Sequence, residues 1–229
     1  GVKTIGMAAN WDHIDKYFIP MRADRFLAQS GQVRDGALRQ QSYRPEQIRM
    51  VGYPYFDFIL GKDYLTKRER FLREWDFPAN AKILLYISGS SYCPDEPEVI
   101  EEILREMDRG RFPASTRLII RPYLGGRFKD KDFDERKFNR FGEHPRVRMY
   151  RRESWSDVDE TIRYLNIMHH ADVVMSAFST AALEVSLFDR PLISIGFDGR
   201  SRRPFHRSVR RFEYFTHFQD VFRIGAVRV

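Results

Sequence analysis

Cysteine, long apolar runs and well-known catalytic motifs are scarce or missing in this sequence. Cys93 is the only cysteine, so neither an internal disulfide nor a cysteine-based zinc site is expected, and the chain suits a reducing compartment. No apolar run reaches the length that a membrane span requires. The P-loop, GxSxG and HExxH patterns do not occur, so no motif supports the chemistry that those patterns carry.

The chain is basic, but its charge is not gathered in a nucleic-acid motif. Lys and Arg number 39 against 32 Asp and Glu, a formal net charge of +7. Many arginines lie in mixed Arg/Asp/Glu stretches, which is typical of a solvated face, and no nucleic-acid-binding motif is present. The excess charge suits a small anionic ligand or an anionic lipid surface instead. We therefore expect a cytoplasmic protein that binds no nucleic acid and touches the anionic inner face of the cell membrane peripherally.

Short apolar runs alternate with segments of helical composition along most of the chain. The alternation predicts an α/β fold, with a mostly parallel sheet covered by helices on both faces. The predicted strands span 2–8, 25–29, 48–51, 82–88, 117–121, 146–150, 172–176 and 192–195. The predicted helices span 32–41, 66–75, 96–109, 132–141, 159–170 and 181–188. The basic, aromatic tail from Arg200 gives no clear prediction.

The alternation restarts near residue 81, which predicts two pieces. Residues 1–60 are expected to be the end of a first, truncated α/β domain, residues 61–80 a linker that contains Pro78, and residues 81–229 a second, Rossmann-like domain. The chain begins without Met and already inside a predicted strand. We therefore expect a fragment of a longer protein.

The stretch from Ala171 to Phe197 predicts a strand, a helix and a second strand. Ser179 and Thr180 stand where the helix begins, and Glu184 lies one turn further. Amides and hydroxyls at a helix start attract phosphate, and a carboxylate can accept hydrogen bonds from two neighbouring ribose hydroxyls. Open α/β sheets bind ligands at this carboxyl edge. The alternative interpretation is an ordinary helix cap with an acid near the positive end of the dipole.

Two other predicted strands end with polar groups at the same edge. Ser88-Gly89-Ser90 follows one of them, and a glycine flanked by hydroxyls either lets backbone approach a phosphate or makes an ordinary tight turn. Arg121 ends the next strand. Its forked guanidinium suits phosphate, although surface arginines are also common.

Trp11-Asp12-His13 and Lys16 follow the first predicted strand. In a functional interpretation, Asp12 or His13 acts as a general base and Lys16 contacts an anion, across a cleft from the second domain. In the alternative interpretation, this is a polar loop with a packed tryptophan. His169-His170 predicts no metal site, because adjacent helix residues point in different directions and no third ligand is evident.

Four short motifs follow one another along the chain: Asn-Trp-Asp…Lys (10–16), Ile-Arg-Met-Val-Gly-Tyr-Pro-Tyr-Phe-Asp (48–57), Leu-Ile-Ile-Arg-Pro (118–122) and Ala-Asp-Val-Val-Met-Ser…Ser-Thr-Ala-Ala-Leu-Glu…Arg-Pro-Leu-Ile (171–193). In this order they resemble GT-B type glycosyltransferases of bacterial surface-polysaccharide biosynthesis, including the CDP-glycerol glycerophosphotransferase-like group and nucleotide-sugar 2-epimerases. The sequence departs from the pattern at Tyr123, since relatives often carry histidine after the Arg-Pro pair.

The resemblance implies two Rossmann-like domains that face each other, of which this chain carries the donor-binding half. It implies a nucleotide-sugar substrate (UDP-, CDP- or GDP-linked), a glycan or lipid-linked acceptor, and no cofactor or metal. The implied reaction is sugar transfer; alternatives are CDP-polyol phosphotransfer, 2-epimerisation or a non-catalytic nucleotide-binding module. The implied donor-binding residues are Ser88, Gly89, Ser90, Arg121, Ser179, Thr180 and Glu184.

Overall fold

The computed structural model describes residues 1–89, 92–123, 136–151 and 157–223, which divide into two compact units. The first unit contains Gly1–Gly61 and the described part of Tyr214–Gly225, and the second contains Lys62–Glu213. The strands are β1 (Ile5–Met7), β2 (Arg25–Ala28), β3 (Ile48–Met50), β4 (Lys82–Ile87), β5 (Thr116–Arg121), β6 (Val147–Met149), β7 (Val173–Ala177) and β8 (Leu192–Ile195). The helices are α1 (His13–Lys16), α2 (Gly31–Gln40), α3 (Pro54–Gly61), α4 (Arg68–Glu74), α5 (Glu96–Asp108), α6 (Val158–His170), α7 (Ala181–Ser186) and α8 (Thr216–Arg223).

The first unit is built on a parallel sheet of β1, β2 and β3, in that order. Phe26 on the central strand is buried and pairs in register with Gly6 and Ile48. The α2 helix begins where Ser30 Oγ accepts a hydrogen bond from the amide of Val33, a side-chain cap for one of the unpaired N–H groups of the first turn. Helix α8 belongs to this unit although it lies at the far end of the sequence.

The second unit is a parallel five-stranded sheet in the order β6-β5-β4-β7-β8. The chain builds outward from β4 to β6 on one side and then continues from β7 to β8 on the other. The order therefore reverses between β4 and β7, and the carboxyl ends of these two strands flank the point at which doubly wound sheets bind ligands.

Helices cover both faces of the five-stranded sheet. On one face, apolar residues of α5, among them Ile100 and Met107, pack against Tyr86 and Ile120. Successive strand residues point to opposite faces, so Leu85 lies on the other side, where α6 packs against β4. Strands buried on both faces read as continuous apolar runs, which is why their positions were evident from sequence.

Several elements differ from the prediction in their bounds. The α7 helix ends at Ser186, two residues early, and the chain then turns through Asp189 at φ +52°. Of the predicted helix 132–141, only residues 136–141 are described, and Asn139–Phe141 form a 3₁₀ turn. Residues 62–80 contain α4 and lie in the second unit, whereas α8 lies in the first. Before α8 the tail forms 3₁₀ turns at Phe205–Arg207 and Val209–Tyr214.

Candidate functional site

Polar side chains follow β7, next to the point where the strand order reverses. The Oγ of Ser179 lies 3.1 Å from the Oγ of Ser176 and accepts a hydrogen bond from the amide of Ala181 at 3.2 Å. Thr180 immediately precedes α7, and its hydroxyl makes no capping bond to the described part of the helix. The face of α7 that carries Val185 is buried in the core. The two predicted hydroxyls therefore stand at the carboxyl edge of the sheet.

Arg121, Tyr164 and Glu184 form a cluster that joins β5, α6 and α7. The guanidinium carbon of Arg121 lies 4.6 Å from the centre of the Tyr164 ring, a cation–π contact. The Tyr164 hydroxyl donates to Oε2 of Glu184 at 3.3 Å. Arg121 is only 4% exposed, whereas Glu184 is half-buried. The structure thus gathers two residues that the sequence placed on separate strands and helices, and it adds Tyr164, which sequence reasoning missed.

Ser88 and Gly89, after β4, already have an anion among their hydrogen-bond partners. Glu96 accepts hydrogen bonds from the amide of Gly89 at 2.7 Å and from the hydroxyl of Ser88 at 3.1 Å. The ammonium of Lys137 completes the arrangement, 2.8 Å from Oε2 of Glu96. A phosphate could take the place of this carboxylate only if Glu96 gave up these bonds. Ser90 lies outside the described residues.

Burial dominates the electrostatics of the Glu96–Lys137 pair. Both side chains are more than nine-tenths buried. Burial raises the pKa of Glu96 because it penalises the charged form, and Lys137 opposes this effect. Gly89 fits this turn because a Cβ there would stand 2.8 Å from the Sγ of Cys93. The sequence did not predict this ion pair, because Glu96 and Lys137 are far apart in the chain and neither lies in a recognisable motif.

Asp12 and Lys16 of the first unit form an ion pair of their own. Oδ2 of Asp12 lies 2.6 Å from Nζ of Lys16, while Oδ1 is buried without a hydrogen-bond partner among the described residues. The ring of His13 packs edge-on against Tyr17. Trp11 is buried and packs edge-on against His217, as in the alternative interpretation of this loop.

His170, the second of the two adjacent histidines of α6, is held within the fold. His170 is 4% exposed, and its Nε2 lies 2.9 Å from the carbonyl oxygen of Thr66, to which it donates. Burial lowers the pKa of His170 to about 4, and the neighbouring His169 adds to the effect. Among the described residues, no three His, Cys, Asp or Glu side chains are grouped so as to hold a metal ion.

Lowering the pH from 7 to 5 is expected to reduce the free energy of unfolding by about 2 kcal/mol through His170 alone. Its pKa is about 4 in the folded chain against 6.5 in the unfolded chain. Between those values the unfolded state binds a proton that the folded state does not, so stability falls as pH falls. Urea unfolding at both pH values should show a smaller loss for His170→Gln, whose amide can still donate to Thr66. His206→Gln, at an exposed histidine, is the control. Equal losses in all three proteins would contradict this assignment.

Across the residues that the structure describes, no helix combines the length and apolar character that crossing a membrane would take.

No protein-family model matches the sequence, and no curated protein matches it. Solved structures do. The S. aureus MnaA–UDP co-structure matches with a TM-score of 0.59 over 90% of this chain and 47% of its own, at 13% identity. The UDP-GlcNAc 2-epimerase of Methanocaldococcus jannaschii, in complex with UDP-GlcNAc and UDP, matches with a TM-score of 0.58. The match covers 90% of this chain and 49% of that one, at 12% identity. The wall teichoic acid polymerase TagF matches with a TM-score of 0.49 over 77% of this chain and 40% of its own, at 12% identity.

These matches concern the fold. The chain spans about half the length of the solved structures that it matches. Its parallel sheets flanked by helices are Rossmann-like and of the GT-B type, as expected from the sequence, and that expectation is confirmed.

Proposed function

We propose that this GT-B chain binds a nucleotide sugar and serves a glycosyltransferase that moves the sugar to a cell-surface glycan or lipid-linked acceptor. The cluster of Arg121, Tyr164 and Glu184 at the carboxyl edge of the five-stranded sheet carries the proposal. This is the edge at which doubly wound sheets bind nucleotides, and the cluster combines a permanent cation, an aromatic ring and a carboxylate. Ser179 and Thr180 supply two hydroxyls at the same edge, after β7.

Each group has a role in the proposed site. Glu184 accepts hydrogen bonds from the ribose hydroxyls, and Ser179 and Thr180 donate to the phosphates. Arg121 lies near the pyrophosphate, where its charge stabilises the departing nucleoside diphosphate. In a metal-independent reaction this positive charge takes the place of a bound cation. Arg121 is held on the ring of Tyr164, so it loses little side-chain freedom when the ligand binds.

The turn after β4 lines the donor pocket in this proposal. Because Glu96 holds the Ser88 hydroxyl and the Gly89 amide, these two residues shape the turn, and Ser90 is the remaining candidate there for direct contact. In the first unit, Asp12 or His13 is the proposed general base and Lys16 the anion contact. Asp12 carries out that role only after releasing Lys16, with which it is paired.

A second candidate is nucleotide-sugar 2-epimerisation. Two of the matching structures are MnaA with UDP and a UDP-GlcNAc 2-epimerase with UDP-GlcNAc and UDP. UDP is therefore the first nucleotide to test, followed by CDP and GDP, since CDP-polyol phosphotransfer is a further alternative. A chain that binds a nucleotide but turns over no donor with any acceptor, even within the full-length protein, would be the non-catalytic module.

Glu184→Ala is expected to weaken nucleoside diphosphate binding by about 10- to 100-fold, because hydrogen bonds to a charged group contribute about 1.5–3 kcal/mol. Calorimetric titration of the chain with UDP, CDP and GDP measures the loss. Thermal unfolding should be little changed, since Glu184 is only half-buried. Glu102→Ala, at an exposed glutamate of α5, is the matched control and should bind as the wild type does. Equal affinity of wild type and Glu184→Ala for every nucleotide that binds would overturn the proposed site.

A further inference from the structure

Residues 200–211, here called the basic segment, are a strongly cationic stretch of the second unit. The segment holds six arginines and no Asp or Glu. Arg200, Arg202 and Arg207 are exposed, and their side chains make no ion pair or hydrogen bond with other described residues. Elsewhere in the chain, basic and acidic residues alternate. Exposed arginines there, such as Arg70 and Arg109, each form an ion pair with a glutamate.

An ion pair and hydrogen bonds hold the basic segment against the start of α5. Arg203 forms a two-pronged pair with Asp95, with Nε 2.6 Å and Nη2 2.9 Å from its two carboxylate oxygens. Asp198 is buried and accepts from the amide of Val209 at 2.8 Å, which closes the segment into a loop. Gly199, at φ +59°, lets the backbone pass close to Glu98, where a Cβ would clash with the carboxylate. Arg203 thus fixes the loop, Arg210 and Arg211 donate within the segment to the Ser208 hydroxyl and the His206 carbonyl oxygen, and Arg200, Arg202 and Arg207 face solvent.

Aromatic side chains stand exposed among these arginines. Phe205 is 53% exposed and lies in the middle of the segment, between Arg203 and Arg207. Phe197, just before the segment, is 52% exposed. Binding of a soluble polyanion requires only the arginines. A surface with anionic groups above an apolar layer can bind the arginines and the exposed phenylalanines together. That combination of layers is the surface of an anionic bilayer.

We propose that the basic segment is a membrane-docking surface that binds anionic phospholipid bilayers, with Arg200, Arg202 and Arg207 at the headgroups and Phe205 inserted at the boundary of the acyl chains. This inference does not rest on the proposed nucleotide site, because vesicle binding is measured without nucleotide. It gives a location on the chain to the peripheral membrane contact that the net charge suggested.

Sedimentation of the chain with lipid vesicles tests the proposal. The wild type should bind equimolar phosphatidylcholine–phosphatidylglycerol vesicles and not pure phosphatidylcholine. Each arginine near an anionic surface contributes about five-fold to the partition coefficient, so Arg200→Gln/Arg202→Gln/Arg207→Gln should lose about 100-fold. Phe205→Ser should lose about ten-fold through reduced apolar burial. None of these side chains is in the core, so thermal unfolding should stay unchanged and report intact folding.

The control must remove the same charge elsewhere. Arg70→Gln/Arg109→Gln/Arg111→Gln lowers the net charge equally at exposed positions of the same unit, and it should lose less than about five-fold. Equal losses in the two triple variants would overturn the proposal in favour of diffuse attraction by net charge. A Phe205→Ser variant that binds as the wild type does would also overturn it, in favour of a purely electrostatic site for a soluble polyanion such as RNA. Failure of the wild type to bind anionic vesicles would overturn it directly.

Discussion

Replacing Lys137 with methionine should lower the free energy of unfolding by about 3–5 kcal/mol at pH 7, because it leaves the carboxylate of Glu96 buried without its cation. The ammonium of Lys137 lies 2.8 Å from Glu96 and also donates to the carbonyl oxygens of Gly89 and Cys93. Methionine fills similar space but supplies no charge and no donors. Urea unfolding of the wild type and the variant measures the loss.

The loss of unfolding free energy caused by Lys137→Met should be smaller at lower pH. Burial already raises the pKa of Glu96 above its usual range, and removing the opposing lysine raises it further. Folding raises the pKa of this carboxyl above the value of 4.5 that it has in the unfolded chain. Such a group destabilises the folded state increasingly as pH rises above 4.5. The difference between Lys137→Met and wild type should therefore be smaller at pH 5 than at pH 7.

Two further variants identify the cause. Glu96→Gln combined with Lys137→Met removes both charges and should recover most of the stability. Lys82→Met breaks an exposed pair with Asp172 and should cost less than about 1 kcal/mol. If Lys137→Met were no more harmful than Lys82→Met, the buried pair would not hold the turn after β4 as described here.

Asn166→Leu should lower the free energy of unfolding by about 2–5 kcal/mol, since it removes side-chain hydrogen bonds to three backbone groups. Asn166 is 5% exposed. Its Oδ1 accepts from the amide of Thr66 at 2.8 Å, and its Nδ2 donates to the carbonyl oxygens of Tyr64 at 3.2 Å and Ile162 at 2.9 Å. Leucine has a similar size and no polar atoms. The variant therefore isolates the hydrogen bonds that tie residues 64–66 to α6.

The matched control is Asn139→Leu, at an exposed asparagine whose side chain contacts Arg151, with an expected change within about 0.5 kcal/mol. Both variants are measured by urea unfolding at pH 7. A loss of under 1 kcal/mol for Asn166→Leu would show that residues 64–66 are not held to α6 through this side chain.

The sequence predicted best those elements whose pattern is local. Strand β8 has the predicted bounds, and α5 differs from its prediction by one residue. Strands buried on both faces give short apolar runs, and α5 carries its core residues at helical spacing, so each signal lies within a few positions of the chain. The tail from Arg200 gave no prediction, because its folding depends on distant partners such as Asp95 for Arg203.

Candidate site residues were partly predictable for the same reason. Hydroxyls and an acid after β7 and an arginine at the end of β5 mark strand ends in an α/β pattern, and the structure places them at one edge of one sheet. It also shows what local spacing cannot: the Ser88 hydroxyl and the Gly89 amide are held by Glu96, and Tyr164 links Arg121 to Glu184.

The sequence by itself determined the alternation of strands and helices, and with it the parallel α/β character and the polar strand ends, because these depend on neighbouring side chains. Only the tertiary structure decided the strand order, the place of α8 in the first unit and the pairing of Glu96 with Lys137. Such pairings bring together groups far apart in sequence. Their stability comes from burial and charge in the folded core, which no short stretch of the chain contains.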